Sequence, residues 1–74
     1  MLRYQLLVAR KQAGYTQEQI ASMLEIPQYK YSKIECGKQV HVDVVLADAI
    51  ARLLNTSIEE LFLPSYSQKM RKEG

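Results

Sequence analysis

Between Glu25 and Gly37 the chain reads EIPQYKYSKIECG, and five of these side chains, Gln28, Tyr29, Lys30, Ser32 and Lys33, can donate hydrogen bonds or neutralise anions. At helical spacing only Tyr31 and Ile34 turn inward. A glutamine amide offers a donor beside an acceptor, a lysine brings a compact positive charge, and serine and tyrosine carry hydroxyls that serve both ways. Side chains of this kind recognise a polar, anionic surface. They do not make a reaction centre. The chain has no Ser/His/Asp or Cys/His set, no carboxylate pair placed for acid–base work, no metal-ligand cluster and no glycine-rich phosphate loop. His41 is a lone loop histidine and Cys36 the single cysteine. No enzymatic activity, cofactor or metal is therefore expected.

The elements that hold these residues must come from one small domain. With 74 residues, a chain buries only about 60% of its unfolded surface, so association with a second copy would help it. A hydrophobic share of 47% against 24% charged residues is a globular composition. One cysteine precludes an internal disulfide framework and fits a reducing compartment. There is no run of about 20 apolar residues to span a membrane. Arg10 and Lys11 interrupt the apolar stretch that a leader would need. A cytoplasmic protein is expected. The net charge of +2 is unevenly spread. Residues 1–39 carry six basic against three acidic side chains, residues 40–63 one against four, and residues 64–74 three against one. The first half suits an anionic partner, although ordinary surface charge accounts for a value this small.

Apolar spacing is helical throughout. Leu2, Leu6, Ala9 and Ala13 share one face of a first helix that Gly14 ends. Thr16-Gln17-Glu18-Gln19 is a capping box that opens a second helix, with Ile20, Ala21 and Leu24 inward. Pro27 breaks the pattern and starts a third helix that runs to about Cys36 and stops at Gly37. After a loop at residues 38–42, Asp43 caps a fourth helix through Leu54, closed by a left-handed Asn55. Ser57-Ile58-Glu59-Glu60 is a second capping box for a short fifth helix that Pro64 terminates. Residues 1–63 thus form an all-α, five-helix domain, and residues 64–74 a short basic tail without periodicity, expected to be mobile.

Two short helices joined by a few residues, the second polar outside, match a helix-turn-helix unit, which lays its second helix in a DNA major groove. Gly14-Tyr15-Thr16-Gln17-Glu18-Gln19-Ile20-Ala21, then Leu24, Ile26, Tyr31-Ser32-Lys33-Ile34-Glu35 and Gly37, resemble the lambda repressor/Cro family (XRE type). Leu54-Asn55-Thr56-Ser57-Ile58-Glu59-Glu60-Leu61-Phe62 is similar to that family's closing helix. The resemblance implies a lambda repressor-like domain that binds palindromic operator DNA as a homodimer, most often as a repressor. It also implies roles. Gln28, Tyr29 and Lys33, with Ser32 as a lesser member, match base-reading positions, and Gln17 matches a phosphate-binding one. Arg10 and Glu35 match positions that pair in some members, where the bridge turns the arginine toward DNA.

The chemistry of the side chains fits these roles. Glutamine can bond adenine N6 and N7, lysine favours guanine O6 and N7, and a tyrosine ring can pack on a thymine methyl. Lys30 and Lys38 suit phosphates, which position a protein without reading sequence. Tyr31 is expected in the core with its hydroxyl at the rim. Two residues depart from the family pattern. Glu25 stands where glycine is common in a left-handed conformation, and Pro27 replaces the usual hydroxyl cap. On the fourth helix, Val45, Leu46, Ala49 and Leu53 form a second apolar stripe nearly opposite the core-facing one, and Phe62 extends it. A helix apolar nearly all round needs a second covering surface, and this predicts the homodimer interface. The competing reading is a protein-interaction module, such as an antitoxin or the target of a signal protein, that keeps the same fold.

Overall fold

The computed structural model describes residues 2–62. The tail 64–74, and the termination of the last helix by Pro64, lie outside the described residues. Five helices follow one another, α1 (Tyr4–Ala13), α2 (Gln17–Leu24), α3 (Gln28–Cys36), α4 (Val44–Leu53) and α5 (Ile58–Phe62). The expected all-α architecture stands. None of these helices is long and apolar enough to cross a membrane.

The core is built from one or two residues per helix. Leu6, Ile20, Tyr31, Ile34 and Ile50 are wholly buried, joined by Ala21, Ala51, Leu54 and Leu61. Ala21 and Ala51 are small, so neighbouring helices can approach closely there. α2 packs chiefly on α3, and α5 packs on α1 and α4. α1 begins later than the apolar spacing suggests. Arg3 is its N-cap residue, Leu2 is half exposed outside the helix, and Ala13 is exposed at its end. The second buried position of α1, after Leu6, belongs to Arg10, whose burial is explained below.

Each helix end follows from local chemistry. The Thr16 hydroxyl accepts the Gln19 amide at 3.0 Å, and the Gln19 side chain accepts the Thr16 amide at 2.9 Å, completing the first capping box. Asp43 accepts the amides of Val45 and Leu46 at 3.1 and 3.3 Å. The second capping box forms only by half. The Ser57 hydroxyl accepts the Glu60 amide at 3.2 Å, but the Glu60 carboxylate takes the Thr56 hydroxyl at 2.5 Å instead of reaching back to Ser57.

At their C-terminal ends α1, α2 and α4 close on their own backbone. In each, a left-handed residue (Gly14, Glu25 or Asn55) and its successor donate amides to carbonyls of the last turn. Glu25 takes this conformation (φ 61, ψ 40) as a non-glycine. The left-handed region costs an L-residue about 1–2 kcal/mol, and glycine gives back about 0.5–1 kcal/mol through its unfolded-state freedom. Glu25→Gly is therefore expected to stabilise the domain by about 0.5–1 kcal/mol and raise its melting temperature by about 4 °C. A calorimetric scan checks this, and a lower melting temperature for the glycine variant contradicts it.

Candidate nucleic-acid interface

α2, the turn at Glu25–Pro27 and α3 form the helix-turn-helix unit, and the core fixes which face of α3 remains outside. Tyr31, Ile34 and Glu35 are its buried residues. Opposite them stand Gln28, Tyr29 and Lys33, all exposed, with Ser32 half-buried at the margin. Spacings of one, four and five residues keep these four within an arc of roughly 140° on a helix. The four expected base-reading side chains therefore share one accessible face. The Lys33 ammonium lies 5.7 Å from the centre of the Tyr29 ring, one turn away along the helix. This cation–π contact limits where the lysine charge can point.

The expected phosphate contacts separate into three groups. Lys38 is exposed in the loop after α3, and Gln17 opens α2, half-buried. Lys30 is half-buried on another side of α3, in a groove it lines with Met23, Leu24, Ile26, Val45 and Leu46. Arg10 is a correction. Its guanidinium points inward and is 8% exposed as a residue. Nε and Nη2 donate to the two carboxylate oxygens of Glu35 at 2.9 and 3.0 Å, and Nη1 donates to the Tyr15 carbonyl at 2.8 Å. The pair forms as the resemblance implies, but it braces α3 against α1 and does not present the arginine to a phosphate. Glu35 bonding raises the Arg10 pKa above its ordinary value, outweighing the desolvation that burial imposes.

Tyr31 sits beside this pair, and its hydroxyl is buried, not at the rim. The hydroxyl meets no hydrogen-bond partner in good geometry among the described residues. Burial pushes its pKa well above the ordinary tyrosine value, and the Glu35 carboxylate adds to this. The folded-state pKa therefore lies above the unfolded one. The protonated hydroxyl's contribution is full below about pH 10 and is lost as pH rises further. Leaving a buried hydroxyl unpaired costs about 1–3 kcal/mol. Tyr31→Phe is accordingly expected to leave stability at pH 7 unchanged or raise it by up to about 1 kcal/mol, and to weaken its decline above pH 10. Urea melts across pH decide this, and a loss above about 1 kcal/mol at pH 7 would show that the hydroxyl has a partner.

The candidate interface between copies centres on α4. Val45 is 73% exposed. Ala49 is half-buried, and Leu46 and Leu53 are half-buried because they also lie over the core. All four line the groove that contains Lys30, which measures about 800 Å³ between the α2–α3 turn and α4. Phe62 is half-buried against the core, and the Arg3 guanidinium lies 5.3 Å from its ring centre. Asp48 and Arg52, spaced to pair along the helix, do so at 2.7 Å on its exposed side.

Sequence periodicity did not point to Arg3. Its guanidinium donates to the carbonyls of Ile34 (2.6 Å), Gln39 (2.9 Å) and Val40 (2.9 Å), and its amide donates to the Glu35 carbonyl at 2.9 Å. Burial lowers its pKa from the ordinary value. No group of three or more His, Cys, Asp or Glu side chains that could hold a metal occurs among the described residues.

Residues 4–64 match the family described as helix-turn-helix domain, and the chain belongs to that family. The match is consistent with the lambda repressor/Cro-type resemblance and with a class whose members bind DNA and regulate transcription. No curated protein and no solved structure matches the chain.

Proposed function

We propose that this protein is a sequence-specific regulator of transcription that binds double-stranded DNA through α3 and represses by occluding a palindromic operator as a homodimer. The observation that carries this reading is the division of α3. One side is locked into the core by Tyr31, Ile34 and the Glu35–Arg10 pair, and the other offers Gln28, Tyr29 and Lys33 to solvent. A helix with that division has its outer face held by the domain, as major-groove readout requires. Gln28, Tyr29 and Lys33 read bases in this proposal, with Ser32 at the margin, while Gln17 and Lys38 hold phosphates. Lys30, nearer α4, reaches a phosphate only along the edge of the groove. The protein acts in the cytoplasm and performs no catalysis.

Selection of bound duplexes from a random pool tests the proposal and supplies the operator. On that operator, replacing Gln28, Tyr29 or Lys33 by Ala is expected to relax preference at particular base pairs, at about 1–3 kcal/mol each. Replacing Lys38 or Gln17 should weaken all sequences alike. Because the Tyr29 ring and the Lys33 ammonium are in contact, the two alanine substitutions together should cost less than their sum. Unchanged specificity in the Lys33→Ala protein would remove α3 from the reading role.

A further inference from the structure

The carboxyl end of α3 is closed differently from those of α1, α2 and α4. In those three the left-handed residue and its successor both donate amides back to the last turn. At α3, Gly37 donates to the Ile34 carbonyl at 3.3 Å, but the next amide to return is that of Gln39, at 3.1 Å to Lys33. The remaining closure comes from outside the helix. The Arg3 amide takes the Glu35 carbonyl, and its guanidinium takes Ile34 together with the loop carbonyls of Gln39 and Val40. Arg3 also begins α1, since its own carbonyl accepts the Leu7 amide at 3.1 Å. One residue therefore starts the first helix and caps the third. Its positive charge lies where the dipole of α3 is negative, and Phe62 of α5 covers it.

From this geometry we infer that Arg3 is a positioning residue for DNA recognition. It fixes the loop that carries Lys38 in register with the end of the helix that carries Lys33. Lys38 stands between Gly37 and Gln39, both of which are tied by backbone hydrogen bonds to the last turn of α3. The Gln39 and Val40 carbonyls that follow it are held by a rigid planar fork. A phosphate-binding lysine and a base-reading lysine five positions apart thus move as one body. Arg3 itself turns its donors inward, onto main-chain oxygens. The inference rests on the proposed DNA-binding role of α3 and Lys38.

A double-substitution cycle on the selected operator tests it, at a temperature where thermal melts show every variant folded. Arg3→Ala is expected to weaken binding about tenfold and to lower the slope of log affinity against log salt by about one, as loss of one phosphate contact does. Lys38→Ala should do the same. Adding Arg3→Ala to Lys38→Ala should then change little, because Arg3 acts through Lys38. Amide exchange at residues 37–40 should quicken in Arg3→Ala while the centre of α3 keeps its protection. If Arg3→Ala does not fold, Arg3→Lys carries the same cycle. It keeps the charge but cannot span three carbonyls, so partial weakening with the same dependence on Lys38 is expected. Independent, additive losses would make Arg3 a direct DNA contact and overturn the inference. Unchanged affinity with a lowered melting temperature would also overturn it, leaving Arg3 a purely structural cap. If the wild-type protein selects no DNA at all, the functional proposal itself fails, a result distinct from either.

Discussion

Glu35→Ala is expected to cost about 3–5 kcal/mol, a large share of what holds this domain together. Glu35 is 2% exposed, and both of its carboxylate oxygens receive hydrogen bonds from Arg10. Removing the carboxylate leaves a guanidinium inside the protein with only the Tyr15 carbonyl for a partner. A chain of this length is stable by roughly 4–11 kcal/mol at typical values per residue, so the variant should be partly unfolded near 37 °C. The pair itself is not necessarily a net stabiliser, because its attraction first has to offset the desolvation of two charges. Replacing both members, Arg10→Met with Glu35→Leu, should therefore recover most of the loss. Chemical denaturation followed by circular dichroism measures all three proteins. A loss below about 1 kcal/mol in Glu35→Ala would mean that water reaches the site and that the pair does not brace α3.

The residues whose behaviour was legible in the sequence are those whose partners are near in the chain. Thr16 and Gln19 cap each other across three residues, Asp43 caps α4, and Asp48 pairs with Arg52. The left-handed Asn55 follows from where the apolar spacing stops, whereas the left-handed Glu25 was anticipated only through the family pattern. The outer face of α3 was legible for the same reason, since helical period alone separates Gln28, Tyr29 and Lys33 from Tyr31 and Ile34. Long-range partners were not visible in this way. The three carbonyls that hold the Arg3 guanidinium are 31 to 37 residues away, and no periodicity marks them. The Arg10–Glu35 bridge was anticipated only through the family resemblance. A local sign of it existed, because Glu35 lies four residues after Tyr31 and so on the same buried face. The Glu60 carboxylate bonds Thr56 and not the Ser57 amide because two acceptable donors compete within one turn. Spacing does not rank them.

Val45→Glu, alone or with Ala49→Glu, is expected to convert a dimer into a folded monomer and to weaken operator binding on the order of a hundredfold. Leu46 and Leu53, the larger members of the apolar stripe, pack on the core as well as lining the groove. Charging them would confuse unfolding with dissociation. Val45 avoids this, because it is 73% exposed and stands at the edge of the groove. Met23, 44% exposed, lines the same groove from α2. An apolar strip of this kind on a small domain asks for cover. In the proposed dimer a two-fold copy supplies it, the surface of one chain meeting the same surface of the other. Function gives the second reason. Half-sites of a palindrome lie about 34 Å apart, and linking two readers raises avidity by about 10²–10⁴ over one. Breaking the link should therefore lower affinity for the full operator far more than for a half-site, where little change is expected. Sedimentation equilibrium reads the oligomeric state, and circular dichroism confirms that the variant keeps its helices. If the wild-type chain sediments as a monomer at high concentration without DNA, the dimer is wrong, and the groove beside α4 belongs to a partner of another kind.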